Sequence, residues 1–484
     1  MKGVAARRVA VEVLLKVEQE NAYANLALNA AFERKHQMSE RDRAFATFLV
    51  QGVLRHRGEL DEAIRPFLKR PMDKLAASLR NVLRLGVFQL VHATDIPPSA
   101  VLNTSAEVAK LMGHAGNASV TTAVLRNFLR QLEEQRAVSG DADASGRGAH
   151  QSGSDALPAG DAAAFDSEKL AERYGVSHWL VDKWKTTFGA EECMKLLAYS
   201  QSVPPLTLRV CTGSITAEGL SEILERKGVK VRRGHLVPDC LVVEDRKAVR
   251  GPIEKLPGFN EGLFVVQDEA AAFVSEVVDA KPGETIVDLC AAPGGKTVHL
   301  AEKMENKGRV IAVDVHANRL NLLKETRNRL GLTNIEIKIA DGVEFMPDRE
   351  ANKVLLDAPC TGTGVINRRT DLRFKREAPH LSDLVELQRK LLAQSAKMIA
   401  PGGELVYSTC SIEPEENEQN IAWFLEQHPE FQLDDIRSYV PADLQTEWFT
   451  DTTNHGAIQL MPTRHGVSGF YVAKLKKAPA LTED

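Results

Sequence analysis

Two cysteines late in the chain stand where covalent chemistry could be done. Cys360 closes Asp357-Ala358-Pro359-Cys360, and Cys410 lies in Tyr407-Ser408-Thr409-Cys410-Ser411. Each follows an apolar run that reads as a strand, at 353–357 and 403–408, so both fall at the carboxyl edge of a sheet. Carboxylates join them there. Asp288, Asp314, Asp341 and Asp357 sit at the ends of successive strand-like runs at 285–289, 309–315, 335–341 and 353–357. One such Asp is explained as a helix cap or turn residue. Four in succession beside two thiols mark a functional cleft, because ligands of open α/β sheets bind outside the carboxyl ends of the strands.

The first of these ends opens into Cys290-Ala291-Ala292-Pro293-Gly294-Gly295-Lys296-Thr297. A strand, a Gly-rich turn and a helix start together present backbone N–H groups to a ligand. A P-loop would need Gly where Cys290 stands, and the dinucleotide pattern G-x-G-x-x-G is absent. An acid about 20 residues beyond such a loop hydrogen-bonds ribose hydroxyls, the place of Asp314, and Asp341 is set to meet an adenine amino group. No basic cluster accompanies the carboxylates, which suits S-adenosylmethionine better than a triphosphate. A thiol beside a methyl donor suggests activation of a pyrimidine. Thiolate addition at C6 makes C5 an enamine carbon able to attack a methyl sulfonium. An acid must meet N3 of the cytosine and a base must remove the C5 proton. Cys410, Cys360 and Asp357 could supply these groups, with the two thiols interchangeable on chemistry alone. The base must leave its stack to reach them.

The elements that must position these residues form a series. From 266 to 478 strands and helices alternate, with Leu320, Leu323 and Leu330 lining one helix and Leu384, Leu387, Leu391 and Met398 another. That alternation implies an α/β domain with a parallel, doubly wound sheet. Residues 165–265 read as a small α+β domain with strands near 206–210, 229–233 and 240–245. The spacing of its Trp179 and Trp184 suits core packing better than a nucleobase platform. Residues 136–164 are Ala, Gly, Ser and Asp with few large apolar side chains, a flexible linker. Residues 1–135 are helical throughout: Ala10, Val13, Leu14 and Val17 recur at helical spacing, and Ile96-Pro97-Pro98 is a break. This all-α part carries a surplus of Lys and Arg, among them Arg34, Lys35, Arg41, Arg43, Arg55 and Arg57, candidate phosphate contacts although each alone reads as a solvent-facing position.

A chain of 484 residues with net charge −5 carries no global basic signal. It holds no apolar run long enough to span a bilayer and no signal-peptide core at its start, so a cytoplasmic protein without membrane association is expected. The six cysteines form no C-x-x-C pair; free thiols and no metal site are expected. A monomer is the default.

The motifs resemble a family. Asp288 to Thr297, Asp357 to Cys360 with Thr361-Gly362-Thr363-Gly364, Tyr407 to Asn417, and Gln267-Asp268-Glu269-Ala270 are similar to those of bacterial RNA cytosine-C5 methyltransferases of the Sun group. The N-terminal part resembles NusB-type RNA-binding domains at Asp42-Arg43-Ala44, Val53-Leu54-Arg55 and Ile96-Pro97-Pro98. The resemblance implies a Rossmann-like class I methyltransferase domain preceded by an all-α NusB-like domain and a small α+β domain. It implies S-adenosyl-L-methionine as cofactor and 16S rRNA, not DNA, as partner. It makes Cys410 the nucleophile and Cys360 the residue aiding product release. The cofactor is then held by Cys290, Ala291, Ala292, Pro293, Gly294, Gly295, Lys296, Asp314, Asp341 and Asp357, with Cys290 a packing or backbone-contact residue. Arg369-Thr370-Asp371 departs from the group's His-Pro-Asp, which could alter an RNA-facing loop, and Ser468 replaces its usual Asp. Two alternatives stay open: the same chemistry on tRNA, or an RNA-binding assembly or antitermination factor without catalysis.

Overall fold

The computed structural model describes residues 3–138 and 165–480, apart from 21, 36–37, 94, 250, 375–376 and 450–454. The linker expected at 136–164 lies outside the described residues from 139 onward. Two compact units emerge, one of residues 1–202 with 367–376, the other of 203–366 with 377–484.

The first unit is helical: α1 Val4–Gln19, α2 Ala24–Arg34, α3 Glu40–Arg55, α4 Arg57–Ile64, α5 Ala77–His92, α6 Pro98–Leu111, α7 Ala115–Val138, α8 Ser167–Tyr174, α9 His178–Phe188 and α10 Ala190–Gln201. Apolar residues at helical spacing on α1 and α3 meet α5, whose Val82, Leu83, Leu85 and Val87 have no exposed surface. Ser39 caps α3 by accepting from the Asp42 N–H, and Ser177 caps α9. Arg84 is buried within α5 because Asp61 and Glu18 pair with it. Trp184 is fully buried, whereas Trp179 is only partly so.

Segment 367–376 corrects an expectation. Of Arg369-Thr370-Asp371, only Arg369 is exposed, so Thr370 and Asp371 are packing residues and not RNA-facing ones. Thr370 Oγ1 donates to Gln51 Oε1 at 2.8 Å, and Asp371 Oδ2 accepts from the Ala24 N–H at 3.3 Å. Tyr23 at the N-cap of α2 makes no side-chain cap bond, and the Asp371 carboxylate meets that helix start instead. Arg373 has no exposed surface and donates to Arg55 O at 2.6 Å, to Ser200 Oγ at 2.9 Å and to Tyr174 O. Replacing it strands these buried acceptors. Arg373→Met is therefore expected to destabilise the helical unit by about 3 kcal/mol, read as a lower urea midpoint; an unchanged midpoint would mean the segment is not anchored there.

The second unit begins with β1 Thr207–Val210, α11 Ala217–Glu225, β2 Val231–Arg233, β3 Cys240–Val243 and β4 Phe264–Val266, which form an antiparallel sheet ordered β2-β3-β1-β4. Next come α12 Glu269–Val278, β5 Thr285–Leu289, α13 Gly295–Lys303, β6 Arg309–Asp314, α14 Ala317–Arg329, β7 Ile335–Ile339, β8 Ala351–Asp357, α15 Ala378–Met398 and β9 Ile399–Thr409. The chain closes with α16 Glu418–Gln427, β10 Phe431–Leu433, α17 Ala442–Trp448, β11 Ala457–Leu460 and β12 Phe470–Lys477. Strands β5 to β9 are parallel in the order β7-β6-β5-β8-β9, as the alternation predicted. Antiparallel β12 on β9, with β10 and β11 beside it, makes the sheet mixed. Ile286, Val310 and Leu355 pack on one face, Val287, Ile311 and Val354 on the other, the two-sided burial that parallel strands need. The order reverses between β6-β5 and β5-β8, which puts the switch point beside Asp288, Asp314 and Asp357.

Candidate active site

The loop after β5 takes its shape from backbone and carboxylate contacts. Cys290 and Gly294 are left-handed, at φ 68° and 106°, and a Cβ on Gly294 would lie 2.5 Å from Leu323 Cδ1. The Ala292 N–H donates to Asp314 Oδ2 at 3.0 Å, and Arg319 holds Ala292 O at 2.6 Å. Asp314 is buried, and its Oδ1 accepts from the His316 N–H at 2.8 Å. His316 Nδ1 also lies 3.0 Å from Oδ1, so it is Oδ2 that keeps a further lone pair, and the residue shapes the loop while remaining able to accept from a ligand there.

Asp288 is the most buried of the acids. Its Oδ2 accepts from Thr297 Oγ1 at 2.6 Å, while Oδ1 is buried without a hydrogen-bond partner. Burial, with Asp357 and Asp314 nearby, pushes its carboxyl up to about 7 against the pull of Thr297 and Lys296. A carboxyl raised above its unfolded value of 3.8 costs stability progressively as pH rises from there to about 7. Asp288→Asn is expected to flatten thermal stability across that window and to weaken cofactor binding in calorimetry. A variant with the wild-type pH dependence would contradict this assignment.

The catalytic candidates converge at the ends of β8 and β9. Cys360 Sγ and Cys410 Sγ are 3.3 Å apart. Asp357 Oδ2 accepts from Lys296 Nζ at 2.7 Å and its Oδ1 from Ser408 Oγ at 2.8 Å. Lys296, nearly buried, also lies 5.2 Å from the ring centre of Phe470. Burial alone would lower its ammonium, but Asp357, with Cys410 and Asp288, raises it overall. The hydrogen bond to Cys410 and burial push the Cys360 thiol well up. Gly364 closes the floor: its N–H donates to Cys410 O at 3.1 Å, its O accepts from Gly469 at 2.9 Å, and a Cβ there would lie 2.1 Å from Gly469 O.

The residues singled out from sequence separate into groups. Cys410, Cys360, Asp357 and Lys296 come together, and Asp314 and Asp288 hold the neighbouring loop. Asp341 is exposed and its Oδ1 accepts from the Val343 N–H at 2.9 Å. Cys290 packs beside the core, its thiol pushed up by burial. Sequence reasoning missed the ion pair of Lys296 with Asp357, the Ser408 hydroxyl, and Glu416, Asn417 and Gln388 behind the cysteine turns. Glu416 and Asn417 stood inside a quoted motif, which was the available signal.

Residues 275–476 match the family of 16S rRNA methyltransferases RsmB/F, residues 4–130 the NusB family, and residues 176–250 the RsmF/B-like ferredoxin-like domain. A Bacillus subtilis (strain 168) protein named probable ribosomal RNA small subunit methyltransferase B is 31% identical over 481 residues, covering 99% of this chain and 100% of its own. The crystal structure of PH0851 is similar at TM-score 0.74 with 29% identity over 99% of both chains. That of NSun6 from Pyrococcus horikoshii with SFG is similar at TM-score 0.53 with 26% identity, over 62% of this chain and 97% of that one.

Proposed function

The chain belongs to the RsmB/F family of small-subunit rRNA methyltransferases, and from that premise we propose that it methylates C5 of a cytosine in 16S rRNA through a covalent adduct on Cys410. The observation that carries the chemistry is the 3.3 Å contact of Cys360 and Cys410 beside the Asp357–Lys296 pair. S-adenosylmethionine supplies the methyl group as a sulfonium. The residues fit it: the buried, unpartnered Oδ1 of Asp288 and the carboxylates of Asp314 and Asp341 are acceptors that would hold a ligand rich in hydroxyls and amines. The Cys290–Lys296 turn offers backbone donors to its amino-acid end.

In this reading the Cys410 sulfur bonds to C6 of the flipped base, and C5 gains nucleophilic character and takes the methyl group. The C5 proton then leaves to a base, and the C6–S bond breaks. Asp357 meets the N3 edge, with Lys296 and Ser408 fixing its carboxylate. Cys360, kept protonated by its surroundings, donates to the departing Cys410 sulfur. The NusB-like helices supply RNA contacts through their basic residues. Bisulfite mapping of total RNA with and without the protein tests the substrate. A 16S cytosine that loses its methyl mark supports the reading; an intact 16S signal with a lost tRNA signal rejects it.

A further inference from the structure

We propose that Glu416 is a positioning residue that clamps the two cysteine turns against each other and so sets the contact between the thiols of Cys360 and Cys410. Its catalytic meaning rests on the covalent reading above. Glu416 has no exposed surface and lies just ahead of α16. Its Oε1 accepts from the Thr361 N–H at 2.9 Å and from Gln388 Nε2 at 2.9 Å, and its Oε2 accepts from Thr361 Oγ1. Gln388, fully buried on α15, also donates to Pro359 O at 2.9 Å. Both neighbours of Cys360 in the chain are thereby tied to one carboxylate–amide pair.

The adjacent residue does the same for the other thiol. Thr409 Oγ1 donates to Asn417 Oδ1 at 2.6 Å, and Asn417 Nδ2 donates to Ser411 O at 3.0 Å, which brackets Cys410. Thr361 Oγ1 and Ser411 Oγ meet at 3.1 Å and join the two turns directly. The clamp has its own support: Tyr407 Oη donates to Glu416 O at 2.6 Å and Asn420 Nδ2 to Gln388 Oε1 at 2.8 Å. Every partner of the Glu416 carboxylate is a donor, the role an acceptor-only carboxylate fills. A buried network with this degree of satisfaction fixes one geometry, and a single wrong donor disrupts it.

A charge effect accompanies the geometry. After the hydrogen bond to Cys410 and burial, the negative charge of Glu416 is among the influences that raise the Cys360 thiol. Glu416 thus adds to the influences that hold Cys360 as the neutral thiol.

Glu416→Gln preserves the shape but sets an amide N–H against at least one donor. With 16S rRNA it is expected to lower kcat by about 100-fold while the RNA KM stays within about threefold. Iodoacetamide labelling at pH 8, followed by peptide mass spectrometry, is expected to show Cys360 gaining reactivity relative to Cys410. Gln388→Met keeps the charge and removes the tie to Pro359; it is expected to lower kcat by about 10-fold with an unchanged labelling ratio. If Glu416→Gln fails to fold, Gln388→Met decides. Turnover within about twofold of wild type for the folded variant, or a loss confined to KM, overturns the clamp. Cys410→Ala assayed in parallel separates the two claims: near-normal turnover of that variant counts against the covalent reading, whereas its loss of turnover together with an unaffected Glu416→Gln counts against the clamp alone.

Discussion

Cys410→Ala is expected to lower methyl transfer to 16S rRNA on the order of 10⁴-fold, with binding of RNA and cofactor little changed. The size follows from the substrate. C5 of cytosine is not nucleophilic until a group adds at C6, and without the Cys410 sulfur the ring offers nothing to the methyl group. Cys360, only 3.3 Å away, is no substitute: even without the Cys410 contact, burial and the charges of Glu416 and Asp357 still push its thiol up. The fold should tolerate the change, since Cys410 is only half-buried. Single-turnover transfer of a labelled methyl group measures it, and near-normal turnover would show that the nucleophile lies elsewhere.

Cys360→Ala is expected to do the opposite of a simple loss, accumulating protein joined to RNA. Addition at C6 needs Cys410 and the Asp357–Lys296 pair, all of which remain. What the variant lacks is the neighbouring S–H that eases departure of the Cys410 sulfur. Methylation then proceeds to an adduct that resolves slowly, visible on denaturing gels as a retarded band sensitive to both nuclease and protease. The double variant with Cys410→Ala should show no such band. If Cys360→Ala alone shows none, Cys360 has no part in release.

Much of this was legible in the sequence for a physical reason. Parallel strands buried on both faces read as apolar runs, so β5, β6, β8 and β9 stood out, and residues at their carboxyl ends could be placed on one edge without coordinates. The strands that make the sheet mixed were hidden. β10 has three residues, and β12 ends in Lys474, Lys476 and Lys477. Lys474 is buried there only because Glu404, Asp434 and Tyr439 surround it. The site followed the same division. Cys360, Cys410 and the strand-end acids were readable from position, whereas the Lys296–Asp357 pair and the hold of Glu416 on Thr361 join residues far apart in the chain. Segment 367–376 is the plainest miss: nothing in Arg369-Thr370-Asp371 announces that Asp371 meets the start of α2 or that Arg373 has no exposed surface.

The central claim is a bond between Cys410 and a cytosine of 16S rRNA. The adduct trapped with Cys360→Ala, digested with nuclease and trypsin, tests it by mass spectrometry. The expected species is the peptide containing Cys410 with one methylated cytidine nucleotide attached through sulfur. A nucleotide on any other residue, or an attached base that carries no methyl group after incubation with S-adenosylmethionine, would contradict it.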